Sequence, residues 1–192
     1  MKTALPFSRP RFDTSTITDM VAVLESGWLT TGPRVAAFEA ALASHFCVDR
    51  ALALNSCTAA LHLALKMAGV GFGDEVIVPA LTYCASAHPI IHCGAKPVVV
   101  DVSPQNSIID LDACVENFNE KTKAIIVVHF GGYPASINKL IELANQRGIS
   151  VIEDCAHAIE ATVDGRAVGS LGDFGCFSFY ATKNVTTGEG GH

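Results

Sequence analysis

The sequence predicts an α/β protein in which helices cover both faces of a largely parallel sheet, as in a three-layer sandwich. One observation is that strand-like and helical segments alternate along the chain. A second is that the strand-like segments are continuous apolar runs, such as Ala-Ile-Ile-Val-Val at 124–128. Runs of this kind are typical of strands buried on both faces.

The predicted helices follow from apolar spacing and from the positions of proline and glycine. The first covers residues 14–26 and is closed by Gly27. Pro33 opens the second, because proline fits the first turn of a helix. The apolar face of this second helix consists of Val35, Phe38, Leu42 and Phe46. The later predicted helices cover residues 58–68, ending at Gly69; 82–92, disturbed by Pro89; and 136–146, followed by Gly148.

The predicted strands are short and apolar. They cover residues 51–54, 75–78 (ending at Pro79), 97–102, 124–128, 150–153 and 175–180, with a hairpin turn at 163–166. In open parallel sheets, ligands bind at the carboxyl ends of the strands. The residues that follow each strand are therefore the candidates for chemistry.

Composition indicates one globular domain over residues 1–192, with 49% hydrophobic and 17% charged residues. The net charge of −6 and the absence of a Lys/Arg cluster argue against a nucleic-acid partner. No apolar run has the length of a signal peptide or a membrane span. Seven cysteines without a Cys-x-x-Cys pair predict reduced thiols and a cytoplasmic location.

The segment 55–61, Asn-Ser-Cys-Thr-Ala-Ala-Leu, opens the third predicted helix. Its free backbone N–H groups and the helix dipole suit a phosphate. Taken alone, the segment is explained better by simple N-capping by Ser56 or Thr58. The segment has no Gly-x-Gly-x-x-Gly pattern, which argues against a nicotinamide-binding domain.

Three residues after predicted strands are candidates for contacts with a flat, nitrogen-containing ring. Tyr83 could stack on such a ring, or be a core tyrosine. Asp154 could pair with a protonated ring nitrogen, or serve as a salt-bridge or cap residue. His157 could lie beside the same ligand, or be a satisfied core histidine.

Lys183 stands between an apolar strand and the glycine-rich stretch 188–191. Held near the cleft, its amine could lose a proton and form a Schiff base. The alternative is a surface lysine on a flexible loop. His88 and His92 have the spacing of a metal pair, but the sequence shows no third ligand and we predict no metal site.

The chain closely resembles the DegT/DnrJ/EryC1/StrS family of sugar aminotransferases, which depend on pyridoxal 5′-phosphate (PLP). The matching stretches occur in family order over almost the whole chain, and the stretch around Lys183 is the most specific. They are 26–33, 55–62, 73–79, 94–97, 153–158 and 178–191.

The resemblance implies fold type I of the PLP-dependent transferases and assigns roles by position. Lys183 would be the catalytic residue and would bind PLP as a Schiff base. The cofactor site would also include Cys57, Thr58 and Ser178 at the phosphate, Tyr83 on the ring, Asp154 at the ring nitrogen, and His157. Cys57 stands where many relatives have glycine, so a positive φ there would strain the backbone.

The resemblance also implies the reaction and the partners. An amino acid, glutamate in our expectation, would donate its amino group to a keto sugar on a nucleotide carrier, in amino-sugar or polysaccharide biosynthesis. Full-length relatives would be homodimers, and Trp28, Thr30, Thr31 and Gly32 would approach the sugar nucleotide.

Two alternatives remain open at the level of the sequence. A sugar dehydratase of the same family is one, although such relatives carry histidine at the Lys183 position. The other is a catalytically incompetent fragment. Relatives are considerably longer, so we expect the chain to be the large N-terminal domain, truncated before a further central strand, an interdomain helix and the small C-terminal domain.

Overall fold

The computed structural model describes residues 5–6 and 8–192. The helices are α1 (Thr14–Glu25), α2 (Pro33–Phe46), α3 (Cys57–Met67), α4 (His88–His92), α5 (Leu111–Glu116) and α6 (Asn138–Asn145). The strands are β1 (Glu75–Pro79), β2 (Lys96–Val100), β3 (Thr122–Val128), β4 (Ser150–Asp154), β5 (Thr162–Val163), β6 (Arg166–Ala167) and β7 (Phe174–Cys176).

Five strands form one parallel sheet in the order β2-β1-β3-β4-β7. After β1 the chain moves to one side to form β2, and then returns to the other side to form β3. The strand order therefore reverses beside β1, and a cleft opens at the carboxyl ends of the strands at such a point. The predicted α/β class is confirmed.

Alternate residues of the central strands β1, β3 and β4 point to opposite faces of the sheet and enter two separate cores. Val151 lies in the core beneath α2, α5 and α6, which we name the α2-side core. Its neighbour Ile152 lies in the core beneath α3 and α4, the α3-side core. Helices on both faces give the three-layer arrangement that the apolar strands predict. Helix α1 contributes no buried residue.

Two predicted elements are wrong. Residues 51–54 do not form a strand, since only Leu54 pairs, through an isolated bridge to Gly191. Residues 82–92 do not form one helix: a 3₁₀ turn at Cys84–Ser86 precedes α4. Pro89 stands in the first turn of α4, where its missing N–H costs nothing, so it helps to begin a helix that we expected it to disturb.

The chain after Lys183 folds back onto the sheet. Phe177 and His192 exchange two backbone hydrogen bonds of 2.7 and 3.1 Å, and Leu54 and Gly191 exchange two of 2.8 and 3.0 Å. The predicted strand 175–180 is therefore regular only over β7, and beyond it the pairing continues as isolated bridges.

The remaining differences are local. The hairpin predicted at 163–166 is present, with positive φ at Asp164 and Gly165 as a tight primed turn requires. Helix α5 was not predicted; Asp110 caps it by accepting from two backbone N–H groups. Over the described residues, every helix is too short or too polar to cross a bilayer.

Candidate active site

The amino end of α3 faces the carboxyl edge of the sheet. Ser56 is its N-cap, and its hydroxyl accepts from the N–H of Ala59 at 3.2 Å. Capping by Ser56 is thus real, and it leaves the neighbouring N–H groups of Cys57 and Thr58 for another acceptor. Cys57 has ordinary helical backbone without positive φ, so the strain that a positive φ would cause does not arise and the cysteine is tolerated, as we expect. Burial raises the pKa of its thiol well above the usual value.

Gly191 fits against the backbone at this helix end. A Cβ at Gly191 would lie 2.1 Å from the carbonyl carbon of Ser56 and 2.2 Å from the nitrogen of Cys57. Gly191 also forms a bridge with Ser178, which brings the Ser178 backbone to the same corner. The three segments around Ser56, Ser178 and Gly191 therefore form a small cradle at a helix amino end, a geometry suited to a phosphate.

Asp154 ends β4 and is 6% exposed. Its Oδ2 accepts from the Ser86 hydroxyl at 2.7 Å, and its Oδ1 accepts from the Ala156 N–H at 3.1 Å. A carboxylate has more lone pairs than these two bonds use. It can therefore accept a further proton donor from the cleft.

His157 and Lys183 line one open cleft of about 600 Å³, together with Gly131, Gly132 and Asn184. Burial lowers the pKa of His157, the Lys183 charge lowers it further, and the Asp154 charge opposes both. The charged groups of Lys183 and Asp154 thus both lie close enough to His157 to act on it electrostatically. His157 Nδ1 accepts from the Gly131 N–H at 3.3 Å, which orients its ring.

Lys183 is half-buried on a turn closed by its N–H, which donates to the Tyr180 carbonyl at 2.9 Å. In the described part of the chain no ion pair involves Lys183. Its amine is therefore not tied to a carboxylate of the described residues and is available to a ligand in the cleft that it lines.

Tyr83 follows β1 and is 74% exposed, so it is not a core tyrosine.

The segment at Trp28 is separate from the cleft that Lys183 lines. Trp28 Nε1 donates to the Thr31 carbonyl at 2.9 Å, and the segment lines its own cavity of about 350 Å³ with Thr30 and Gly32. This cavity shares no lining residue with the Lys183 cleft.

Sequence reasoning missed Glu153, which is completely buried directly before Asp154. Its carboxylate accepts from the N–H groups of Gly169, Leu171 and Gly172 at 2.8–2.9 Å, and contacts His129 Nε2 at 2.9 Å. Since His129 Nδ1 accepts from the Ala135 N–H, Nε2 carries a proton and donates to Glu153. The only signal in the sequence was an acid inside an apolar strand.

Side chains of the types that bind metals come together in two places. The rings of His88 and His62 each lie beside His92, with centroids 6.5 and 5.9 Å away. In the described residues, one group brings ligand-type atoms within 4.8 Å of one another: His129, Glu153 and Cys155. The hydrogen bonds of Glu153 and His129 already account for their polar atoms there, so this group is structural.

A family model described as the DegT/DnrJ/EryC1/StrS aminotransferase family matches residues 10–192. Among curated proteins, the chain is 46% identical over 190 residues to the spore coat polysaccharide biosynthesis protein SpsC of Bacillus subtilis. The match covers 97% of the chain and 48% of SpsC. The chain spans about half the length of the relatives it matches.

The chain also superposes closely on solved structures. A protein described as a sugar aminotransferase, Spr1654 of Streptococcus pneumoniae in its PLP form, superposes with a TM-score of 0.93 at 40% identity. That match covers 97% of the chain and 52% of the solved protein. A GDP-4-keto-6-deoxymannose-3-dehydratase, ColD, with bound GDP-perosamine superposes with a TM-score of 0.91 at 26% identity, over 97% of the chain and 50% of ColD.

Proposed function

Because the chain belongs to the DegT/DnrJ/EryC1/StrS aminotransferase family, we propose that its protein is a PLP-dependent sugar aminotransferase. The amino group would pass from an amino acid, glutamate in our proposal, to a keto sugar on a nucleotide carrier. The observation that carries the proposal is the cleft that Lys183 lines together with His157, on which the Asp154 charge also acts; among the described residues Lys183 has no ion-pair partner.

The residues at the carboxyl edge of the sheet offer the chemical groups that PLP requires. The α3 amino end, with the Cys57 and Thr58 N–H groups and the Ser178 hydroxyl, would hold the phosphate. Asp154 would accept from the ring nitrogen, and Tyr83 would cover the ring. PLP, when bound, supplies a carbonyl carbon for amines and an electron sink for charge that develops at a neighbouring carbon.

The chain's own residues would do three things in this reaction. Lys183 Nζ would hold the cofactor covalently and, once released by the incoming amine, carry a proton to and from the substrate carbon. Asp154, buried at the end of β4, would keep the ring nitrogen protonated, because the negative charge of a carboxylate stabilises a neighbouring protonated ring. His157, oriented by the Gly131 N–H, would border the substrate side of the cleft.

The names of the relatives support a sugar nucleotide as the acceptor. SpsC belongs to polysaccharide biosynthesis, and ColD binds a GDP-linked amino sugar. Lys183 favours amino transfer over the dehydration that ColD is named for, since we expect dehydratases to carry histidine there. Trp28, Thr30, Thr31 and Gly32 remain our candidates for the sugar-nucleotide contact.

The assembly and location are part of the same proposal. We take residues 1–192 as one large cofactor-binding domain and expect the active protein to be a cytoplasmic homodimer, as in the family that the sequence resembles. An activity that requires further residues is consistent with the share of the relatives that the chain covers.

The first test is covalent trapping. The purified protein is incubated with PLP, reduced with borohydride and digested, and the added mass is located by peptide mass spectrometry. We expect a pyridoxyl group on Lys183. The K183R variant keeps the charge but cannot form the bond, so its labelling should fall to background.

The matched control is K139R, a change at an exposed lysine of α6, which should label like the unaltered protein. Labelling spread over several lysines, or none in protein shown to be folded by circular dichroism, would reject Lys183 as the cofactor lysine.

The reaction itself is tested with glutamate and nucleotide-linked keto sugars, with both products followed by mass spectrometry. Amino transfer yields 2-oxoglutarate and a sugar that has gained an amino group in place of its keto oxygen. A sugar that has instead lost a hydroxyl group, without incorporated nitrogen, would favour the dehydratase.

A further inference from the structure

Ser86 is completely buried beside the candidate site, and the reaction as proposed gives it no part. Its hydroxyl oxygen lies 2.7 Å from Asp154 Oδ2 and 2.6 Å from Thr82 Oγ1. A buried hydroxyl with two polar partners has a fixed orientation. Ser86 therefore holds one oxygen of Asp154 in place.

The direction of the protons in this chain follows from the single hydroxyl proton of Ser86. The Ser86 hydroxyl donates that proton to Asp154 Oδ2. The Ser86 oxygen can then only accept from Thr82, and Thr82 donates. The two hydroxyls thus form a chain polarised towards the carboxylate, in which the first bond strengthens the second.

The same residue also fixes the segment that carries Tyr83. The Ser86 N–H donates to the Tyr83 carbonyl at 3.0 Å within the 3₁₀ turn after β1. In the sheet, β3 separates β1 from β4, so the Ser86–Asp154 bond crosses the carboxyl end of β3. It links the loop of the predicted ring-stacking residue to the strand of the predicted ring-nitrogen partner.

We propose that Ser86, supported by Thr82, is a positioning residue of the PLP site, which aims the Asp154 carboxylate at the ring nitrogen and fixes the Tyr83 loop relative to it. The inference rests on the proposed function. A donor to Asp154 stabilises its charged form, and a charged Asp154 keeps the proton on the ring nitrogen. Ser86 would act through Asp154 and Tyr83 without touching the cofactor.

The test compares S86A and T82V with the unaltered PLP-loaded protein. We expect S86A to raise the PLP dissociation constant by about tenfold or more, the effect of losing a hydrogen bond to a charged group. The pH midpoint of the absorbance change of lysine-bound PLP should rise, because a ring nitrogen that loses positive charge withdraws fewer electrons. T82V should shift both quantities in the same direction by less.

The conservative variant and a matched control separate positioning from simple packing. S86T keeps the hydroxyl and should restore the pH midpoint towards the original value. S103A removes a hydroxyl with a hydrogen bond of similar length, to Gln105 Oε1 at 2.6 Å on the loop after β2, and should change neither quantity.

A second measurement needs no cofactor. Hydrogen exchange followed by mass spectrometry should show faster exchange over residues 82–87 in S86A than in S103A, since the link to Asp154 is made by the chain itself. If the unaltered protein does not label at Lys183, the proposed function fails, and this exchange still decides whether the link exists.

The inference is overturned if PLP binds the unaltered protein at Lys183 while folded S86A keeps the same dissociation constant and pH midpoint. If S86A does not fold, the T82V variant, which keeps Ser86, tests the inference instead. An unchanged PLP dissociation constant and an unchanged pH midpoint in T82V would then overturn it. Unchanged exchange over residues 82–87 would independently remove the claim about the Tyr83 loop.

Discussion

At the scale of single residues, the candidate site depends on close backbone contacts as much as on reactive side chains. Gly191 is buried against the Ser56–Cys57 peptide, where a Cβ of any other residue would lie 2.1–2.2 Å from backbone atoms, much closer than van der Waals contact allows. Since backbone cannot turn aside as a side chain can, the helix end or the 188–192 segment would have to move. The position of the phosphate cradle is thus coupled to one glycine.

We predict that G191A destabilises the protein by about 1–3 kcal/mol, the usual cost of overpacking, and weakens PLP binding as well. Urea unfolding and a PLP titration measure the two effects. Gly71 is a suitable control, because a Cβ there meets nothing within 4 Å and its φ is not positive, so G71A should be nearly neutral. Equal stability of G191A and G71A would show that the segment does not pack on the α3 amino end.

At the scale of elements, Glu153 joins pieces of chain that the sheet alone does not connect. Its carboxylate binds the backbone of the 169–172 turn on one side and His129, directly after β3, on the other. Burial by itself would raise the pKa of Glu153, but the hydrogen bonds from His129, Gly169 and Gly172 lower it overall. The folded protein therefore favours the charged form.

This shift gives the stability a definite dependence on pH. A lowered folded-state pKa contributes stability above the unfolded value, about 4.3 for glutamate, and that stability is lost as the pH falls through the folded-state pKa. At pH 7 the contribution is complete. In acid, part of the loss of stability of the protein should come from Glu153.

We predict that E153Q is destabilised by about 2–4 kcal/mol at pH 7, because one side of the amide would turn its NH₂ towards N–H donors. The difference from the unaltered protein should shrink as the pH is lowered from 7 to 3, as measured by urea unfolding at each pH. The exposed Glu142 provides the control E142Q. A difference that is independent of pH would mean that the Glu153 charge does not contribute.

At the scale of the whole molecule, the sheet separates two cores that can be monitored independently through cysteines. Cys114 and Cys155 lie in the α2-side core, and Cys57, Cys93 and Cys176 lie in the α3-side core. Burial raises the pKa of each of these thiols, to about 12 for Cys114. Cys47 and Cys84 are exposed.

We predict that iodoacetamide at pH 8 modifies the two exposed cysteines rapidly and the five buried ones roughly a hundredfold more slowly, until urea unfolds the chain. Peptide mass spectrometry measures each site, and a C47S/C84S variant should show no rapid modification. Rapid reaction of Cys114 alone would show that the α2-side core opens by itself; rapid reaction of Cys176 would show the same for the α3-side core.

The sequence by itself determined the fold class, because both signals it rests on are local. The alternation of helical and apolar segments, and the continuous apolar run 124–128 in β3, can be recognised from neighbouring residues alone. The positions after the strands were likewise predictable, since a parallel sheet aligns its carboxyl ends. Asp154, His157 and Lys183 could thus be selected as candidate site residues from the sequence alone.

Only the tertiary structure decided which distant groups meet. Nothing near Ser86 in the sequence points to Asp154, 68 residues away, and nothing near Gly191 points to the Ser56–Cys57 peptide. The sheet order places these segments together, and sheet order follows from the packing of whole elements. For the same reason the segment 51–54 was misassigned: its composition suits a strand, but pairing requires a partner, and the described structure offers one only at Leu54.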